Sequence, residues 1–216
     1  MSLEFIKRIL SSIILLPLTF FIIIQGSFLF ISFIILCFFI SIYEWNILSK
    51  EKKYNKIGIV FLFISFFCIY NLRINSEDNY LFFLFIILIC ISTDIGGYVF
   101  GKLFKGPKLI SYSPNKTVSG LIGSYIFALS IIPFLDYLKI YNQNEILLMT
   151  IFVILISTVS QIGDIIVSFF KRKSKKKDTG KIIPGHGGLL DRIDGIIFAF
   201  PVGYIIYFTN LFNPIL

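Results

Sequence analysis

Five polar side chains near the C-terminal end have the spacing that places them on two helix faces. Asp164, Ser168 and Lys171 lie four and three residues apart, and Asp191 and Asp194 lie three apart. Residues at these spacings share one face of a helix. Carboxylates on two neighbouring helices suit Mg²⁺, which takes one or two of them and completes its coordination with water and phosphate oxygens. We therefore predict a metal site at Asp164 and Asp191, with Asp194 as a further ligand or a partner of the ligands.

The loop between these two groups is basic and rich in glycine. Lysine and arginine side chains suit the oxygens of a polyphosphate, and glycines let backbone N–H groups approach phosphate closely. This combination predicts phosphoryl or nucleotidyl transfer, in which catalysis consists mainly of positioning and charge neutralisation. The candidate phosphate-binding residues are Lys171, Arg172, Lys177, Gly180, Lys181, Gly185, Gly187, Gly188 and Arg192.

Some residues of this loop have a second explanation. The basic run from Lys173 to Lys177 is equally explained as a positively charged anchor at the cytoplasmic membrane surface. The only histidine, His186, fits a structural hydrogen bond in the turn as well as it fits a substrate contact, and metal ligation fits it less well. For Asp178, beside Lys177, a local ion pair or a cap is the simpler interpretation.

The composition identifies the class of protein that must hold these residues. The 216 residues are 56% hydrophobic and only 15% charged, with a mean hydropathy of +0.88. A soluble domain of this composition would have too few polar residues to cover its surface, so we predict a polytopic membrane protein. The whole chain, 1–216, is predicted to be a single integral-membrane domain, with scaffold helices in 1–92 and catalytic helices and loops in 93–212.

Apolar runs predict an all-α transmembrane bundle of about seven helices. The first three runs are shorter than the ~20 residues that a span requires, so we expect their ends to extend into flanking residues. The first run is interpreted as a retained helix rather than a cleaved signal peptide, because no small-residue cleavage site follows it. The runs cover 9–24, 28–43, 57–72, 80–100, 118–138, 145–170 and 193–212.

The distribution of basic residues predicts the orientation of the helices. With the N-terminus in the cytosol, all but two of the 20 Lys and Arg residues fall on the cytosolic side, the exceptions being Arg73 and Lys139. This asymmetry matches the positive-inside rule. It also explains the net charge of +8 without a nucleic-acid partner, so none is predicted.

Acidic residues gather at the same predicted membrane face. Asp94 and Asp164 lie near the cytoplasmic ends of the fourth and sixth runs, while Asp191 and Asp194 open the seventh. A carboxylate in or near hydrocarbon is costly unless it is paired, bound to metal or facing water. Four carboxylates from three helices at one face therefore indicate a functional site.

A known family shares these residues and their order. The segment from Ser168 to Asp194 contains SFFKR, KDTG and PGHGGLLDRID in that order, which resembles the signature of the phosphatidate cytidylyltransferases, or CDP-diacylglycerol synthases. The resemblance covers most of the chain from Tyr43 onward. Three weaker matches are YEW at 43–45, TDIGGYVFG at 93–101 and SPNKTVSG at 113–120.

The resemblance implies a reaction, its substrates and its cofactors. CTP and phosphatidate would give CDP-diacylglycerol and pyrophosphate at the cytosolic face of the cell membrane. Mg²⁺ would be bound by Asp164 and Asp191, and a monovalent cation such as K⁺ could share the site. The catalytic residues expected are Asp164, Lys171, Asp191, Arg192 and Asp194. The substrate-binding residues expected are Lys116, Ser168, Arg172, Lys177, His186, Gly187 and Gly188, and Asp94 would complete the cytoplasmic rim.

The sequence also departs from the family pattern at two places. Val167 stands where the family usually has Glu, and Val118 and Ser119 stand where Trp-Glu is common. The roles of those acids are therefore not carried over to this chain.

Other functions remain as alternatives at this point. A phosphate oxygen of the lipid is already anionic at neutral pH, so nucleotidyl transfer to phosphatidate needs no general base. A CTP-dependent kinase acting on a polyprenol-type lipid would need one. A CDP-alcohol phosphotransferase fits less well, because the Asp-Gly at 194–195 is not followed by Ala-Arg. A cation transporter would explain the acids but not the loop. The oligomeric state stays open, a homodimer included.

Overall fold

The chain folds as an α-helical membrane protein, as the apolar runs predict. The computed structural model describes residues 3–50, 52–74, 80–110, 112–137, 146–183, 185 and 187–209. Five of the described helical segments are long and apolar enough to cross a membrane. The helices are α1 (Leu3–Gln25), α2 (Ser27–Ser49), α3 (Asn55–Ile74), α4 (Tyr80–Phe104), α5 (Val118–Leu129), α6 (Ile131–Tyr137), α7 (Ile146–Lys173), α8 (Leu190–Ile193) and α9 (Ile196–Phe208).

The lengths of the first three helices confirm that the short apolar runs extend at both ends. Helices α1 and α2 have 23 residues each and α3 has 20, close to or above the ~20 residues that a span requires. Of the three, α2 and α3 are among the five candidate spans, whereas the apolar part of α1 is the shorter Ile13–Gln25. Polar residues that flank the apolar runs also adopt the helical conformation, because a helical backbone satisfies its own hydrogen bonds inside a bilayer.

Two later elements differ from the prediction. The fifth run is interrupted at Ser130, which separates α5 from α6. In the described part of the last run, up to residue 209, the short α8 precedes α9, which has 13 residues, and 210–212 lie outside the described residues. Asp194 and Gly195 stand between them and keep helical dihedral angles.

A small β-hairpin between α4 and α5 was not expected from the sequence. Strands β1 (Lys108–Ile110) and β2 (Ser113–Thr117) pair antiparallel, with Lys108 opposite Thr117 and Ile110 opposite Ser113. The hairpin leads directly into α5, whose N-cap Thr117 accepts a hydrogen bond from the Gly120 N–H. This cap fixes the end of β2 at the start of the helix.

The chain packs as two compact units. The first comprises Met1–Tyr80 and Phe170–Asp194, and the second comprises Leu81–Phe169 and Gly195–Leu216. The division of one domain into a scaffold part and a catalytic part stays a prediction.

Arg73 joins the helices of the first unit. Its Nε donates to the Ile23 carbonyl at 2.8 Å and its Nη2 donates to the Ile24 carbonyl at 3.1 Å. These carbonyls belong to the last turn of α1, which lacks partners within its own helix. The chain turns into α2 through Gly26, whose φ of 63° suits glycine, and Ser27, whose φ is 50°. One of the two basic residues that depart from the predicted charge asymmetry therefore has a structural role as a helix cap.

Trp45 fixes the cytoplasmic-side ends predicted for α2 and α3. Its indole N–H donates to the Asn55 carbonyl at 3.0 Å, and its ring fills the space that a side chain at Gly58 would need. The ring also lies edge-on to Phe170, with 5.0 Å between ring centroids. The end of α2 is thereby held firmly within the first unit.

In the second unit, glycines allow α4 and α5 to pack backbone to backbone. A Cβ at Gly96 would clash with the Gly123 carbonyl oxygen, and a Cβ at Gly123 would clash with the Phe100 ring. Such close approach is typical of helix pairs in membranes, where small residues maximise contact between backbones.

We expect Gly123→Ala to lower the stability of the protein by about 1–3 kcal/mol, because the new methyl group overpacks the α4–α5 contact. The measurement is thermal unfolding of the purified protein in detergent. Gly101→Ala is the matched control, since its Cβ would lie 3.1 Å from the Thr117 hydroxyl and 3.7 Å from the Gly120 Cα, without the 2.3 Å clash found at Gly123. An unchanged melting temperature for Gly123→Ala would contradict the close packing.

Candidate active site

Asp191 is the centre of a hydrogen-bond network in the first unit. Its Oδ1 accepts from Lys171 Nζ at 2.8 Å. Its Oδ2 accepts from the Thr179 N–H at 2.8 Å and the Gly188 N–H at 3.1 Å, and it lies 3.0 Å from the Thr179 hydroxyl, whose one proton it shares with a second carboxylate. The side chains of Lys171 and Asp191 are 12% and 7% exposed. The carboxylate is thus buried, neutralised by one cation and held by the backbone of the loop.

The loop before Asp191 is closed by glycines with positive φ. Gly185 has φ 77° and Gly187 has φ 88°, values that favour glycine over other residues. The Ile183 N–H donates to the Gly187 carbonyl at 2.9 Å and closes the turn. His186 and Pro184 lie outside the described residues, so the prediction for His186 has no structural counterpart.

Glu44 is a site residue that the sequence reasoning missed. Its side chain is 0% exposed. Oε2 accepts from the Thr179 hydroxyl at 2.9 Å and the Leu190 N–H at 2.8 Å, and Oε1 accepts from the Leu189 N–H at 3.0 Å. A glutamate within an apolar helix is itself a signal of function or pairing, and that signal could have singled it out.

Two of the loop glycines have a packing reason in the structure. A Cβ at Gly180 would lie 2.5 Å from Glu44 Oε1. A Cβ at Gly188 would lie 2.5 Å from Glu44 Oε2 and would also clash with the Thr179 hydroxyl. The Gly188 N–H is already donated to Asp191. Contacts of these glycines with phosphate stay a prediction.

Part of the basic run is attached to the end of α2. Lys176 Nζ donates to the Ile47 carbonyl at 3.1 Å, and the Ser174 hydroxyl donates to the Leu48 carbonyl. The Lys173 ammonium lies 4.7 Å from the centre of the Tyr54 ring. Ser174 and Lys176 therefore satisfy C-terminal carbonyls of α2, a role that the sequence did not indicate.

Asp164 lies in the second unit with a different set of partners. Its Oδ2 is 2.5 Å from Lys116 Nζ, and its Oδ1 accepts from the Ser168 hydroxyl at 3.2 Å. The predicted shared helix face of Asp164 and Ser168 is confirmed. Lys116 belongs to β2 and is held there by the hairpin. The side chains of Lys116 and Asp164 are 23% and 30% exposed, so this pair is more open to solvent than the pair at Asp191.

Several other predicted site residues lie on the surface, and one is buried. Asp194 is only 9% exposed. Exposed side chains can meet a charged ligand without first leaving a packed core. The exposed residues are Asp94, Arg172, Lys177, Lys181 and Arg192.

The carboxylates of Asp164 and Asp191 differ in how well their oxygens suit Mg²⁺ as ligands. Among the described residues, no three His, Cys, Asp or Glu side chains are grouped to hold a metal. Mg²⁺ needs only one or two carboxylates when water and phosphates supply the rest, and Asp164 fits this requirement. In Asp191, Oδ2 already accepts two backbone N–H bonds and contacts the Thr179 hydroxyl, whereas Oδ1 accepts one bond. A carboxylate oxygen has two lone pairs, so Asp191 fits only through Oδ1. The convergence of Asp164 and Asp191 on one metal ion stays a prediction.

Comparison with known proteins places these residues in a family context. A family model described as the cytidylyltransferase family matches residues 49–210. The phosphatidate cytidylyltransferase of Rickettsia typhi is 38% identical over 203 residues, which cover 90% of this chain and 88% of that protein. The enzyme of Staphylococcus saprophyticus with the same name is 36% identical over 166 residues, or 74% of this chain. The chain spans 62% of the length of that relative.

The two lysine–aspartate pairs should differ in their contribution to stability. Lys171→Met leaves the buried Asp191 without its cation, so we expect a loss of about 3–5 kcal/mol. Lys116→Met removes a partly exposed pair, so we expect a loss of about 0–1 kcal/mol. Unfolding of both variants in detergent measures the difference. Equal losses would contradict the contrast in burial.

Proposed function

This chain belongs to the cytidylyltransferase family, and on that premise we propose that it transfers CMP from CTP to phosphatidate, giving CDP-diacylglycerol and pyrophosphate. The observation that carries the proposal is the extent of the family match: residues 49–210 contain both lysine–aspartate pairs and the glycine-rich loop. The names of the similar proteins from Rickettsia and Staphylococcus support the same activity.

The proposed reaction is a substitution at phosphorus. A phosphate oxygen of phosphatidate attacks the α-phosphorus of CTP, a new P–O bond forms, and the bond between the α-phosphorus and the bridging oxygen of pyrophosphate breaks. The attacking oxygen is already anionic at neutral pH, so no residue must remove a proton. The main obstacle is the electrostatic repulsion between the two anionic substrates. Cationic residues reduce this repulsion by neutralising the phosphate charges.

Mg²⁺, when bound, would neutralise phosphate oxygens and orient them. We propose Asp164 as its main ligand, with Oδ1 of Asp191 and Asp194 as the other candidates. A second, monovalent cation such as K⁺ belongs to the same proposal. The donor chemistry supports this assignment, because one carboxylate at Asp164 is partly exposed and Mg²⁺ requires few protein ligands.

The lysines of the two ion pairs have a further proposed part in binding. Lys116 and Lys171 form ion pairs with Asp164 and Asp191. We expect each to turn toward substrate phosphate when a cation takes its place at the carboxylate. We propose that both lysines then bind the phosphates of CTP or the head group of phosphatidate. The other residues proposed to bind these substrates are Ser168, Arg172, Lys177, His186, Gly187, Gly188 and Arg192.

The protein is an integral membrane protein, and we propose that its active site faces the cytosol, where CTP is available. The charge asymmetry of the loops supports this orientation. We expect Lys177→Cys to react with a membrane-impermeant maleimide only from the cytosolic side, and Ser27→Cys only from the other side. Both positions are exposed, and the native Cys37, Cys68 and Cys90 are buried. Labelling of intact cells and inverted vesicles measures the orientation, and reversed labelling would refute it.

The activity itself is tested with the purified protein in detergent, incubated with CTP, phosphatidate and Mg²⁺. We expect CDP-diacylglycerol and pyrophosphate in equal amounts, and we expect their formation to stop when a chelator removes Mg²⁺ and to resume when Mg²⁺ is added back. Transfer of the γ-phosphate to a lipid, with CDP as the other product, would overturn the proposal.

We expect Asp164→Asn to lower kcat by about two orders of magnitude or more, the scale of losing one electrostatic stabiliser of a transition state. The substitution keeps the size of the side chain but removes its charge. Rates of pyrophosphate release measure the effect, with folding checked by size-exclusion chromatography. Thr150→Ala is the matched control on α7, because its hydroxyl donates only within the helix. Near-normal kcat in Asp164→Asn would contradict the metal assignment.

A further inference from the structure

A buried carboxylate of α2 contacts the glycine-rich loop and has no role yet in the proposed reaction. Glu44 lies in α2, and its hydrogen-bond partners Thr179, Leu189 and Leu190 lie 135 to 146 residues later in the chain. All of these residues belong to the first unit. The glutamate therefore connects a transmembrane helix with the backbone that leads into Asp191.

The connection reaches Asp191 by two routes. The Thr179 hydroxyl lies 2.9 Å from Glu44 Oε2 and 3.0 Å from Asp191 Oδ2, so it contacts both carboxylates. The Leu190 N–H, in the residue directly before Asp191, donates to Glu44 at 2.8 Å. A shift of Glu44 would therefore move both the backbone of Asp191 and one of its hydrogen-bond donors.

We propose that Glu44 is a positioning residue, which holds the loop from Thr179 to Asp191 in the arrangement needed for turnover. This inference rests on the proposed nucleotidyl transfer, in which Asp191 and Lys171 take part. Glu44 itself contacts neither substrate nor metal in this proposal. It acts through the Thr179 hydroxyl and through the backbone N–H groups of Leu189 and Leu190, where α8 begins.

The hydrogen bonds between Glu44 and the loop are strong ones. A carboxylate with no exposure to water requires hydrogen-bond donors, and bonds to a charged acceptor are stronger than neutral ones. Gly180 and Gly188 leave room for Glu44 against their Cα atoms. The next residue, Trp45, fixes the end of α2 through Asn55 and Phe170. The loop is therefore bonded to a firmly packed part of α2. Moving it away would leave the Glu44 carboxylate without its hydrogen-bond donors.

Glu44→Gln is a sharp test because it changes the donors and acceptors while keeping the shape. Glu44 accepts a backbone N–H at each of its two oxygens. A glutamine has only one acceptor oxygen and places an NH₂ group at the other position. One of the N–H groups of Leu189 and Leu190 must therefore face another donor, whichever way the amide is turned.

We expect Glu44→Gln to lower kcat by about 10- to 100-fold, the usual effect of losing a residue that orients a catalytic group. The KM for CTP should change by less than about threefold, because a positioning defect acts mainly in the transition state. Thr179→Val should lower kcat in the same way, and Thr179→Ser, which keeps the hydroxyl, should retain more turnover than Thr179→Val. Thr179→Val also decides the inference if Glu44→Gln does not fold.

Hydrogen exchange of the full chain in detergent provides a readout that does not depend on activity. The amides of Gly188, Leu189 and Leu190 should exchange slowly in the wild type and faster in Glu44→Gln. The matched control is Ser41→Ala, since Ser41 is equally buried on α2 but donates only to the Cys37 carbonyl. In Ser41→Ala both exchange and kcat should equal those of the wild type.

The outcomes separate this inference from the proposed function. Unchanged exchange at these amides, or wild-type kcat in Glu44→Gln, would overturn the positioning role. A fall in melting temperature with normal kcat would overturn it too, because it would reveal only a structural contact. If the wild type itself makes no CDP-diacylglycerol, the proposed function fails and the exchange data alone decide whether Glu44 holds the loop.

Discussion

A carboxylate inside a helical membrane protein needs a cation or hydrogen-bond donors, because hydrocarbon supplies neither. Three carboxylates of this chain meet that requirement in different ways. Glu44 accepts only N–H and O–H donors of the loop, Asp191 combines such donors with Lys171, and Asp164 pairs with Lys116. Much of the irregular structure follows from these needs: the loop folds so that its backbone faces two buried carboxylates, and the hairpin before α5 presents Lys116.

The helical framework was predictable because its signal is strong and local. Long apolar runs identify spans, and the short runs of α1 to α3 extend to full length, as expected. The β-hairpin was missed because β1 and β2 have three and five residues, too few for a period to show. The interruption at Ser130 was missed as well, since the apolar pattern continues across it without a break.

The candidate site was predictable in its residue types and only partly in its contacts. Spacing along one helix identified the contact of Asp164 with Ser168, four residues apart. It could not identify the contact of Glu44 with Thr179, because 135 residues separate them and tertiary packing alone brings them together. The glycines of the loop predicted phosphate binding, because their packing partner could not be seen in the sequence. In the structure, Gly180 and Gly188 pack against Glu44, which is distant in the chain. The metal and substrate roles stay proposals.

The cap that Arg73 provides for α1 has a consequence for the order of assembly. The guanidinium comes from α3 and bonds carbonyls 49 and 50 residues earlier in the chain. A carbonyl at a helix end needs a donor or water, so the cap on α1 forms only after α3, which carries Arg73, has been synthesised. Until then the Ile23 and Ile24 carbonyls depend on water or other partners.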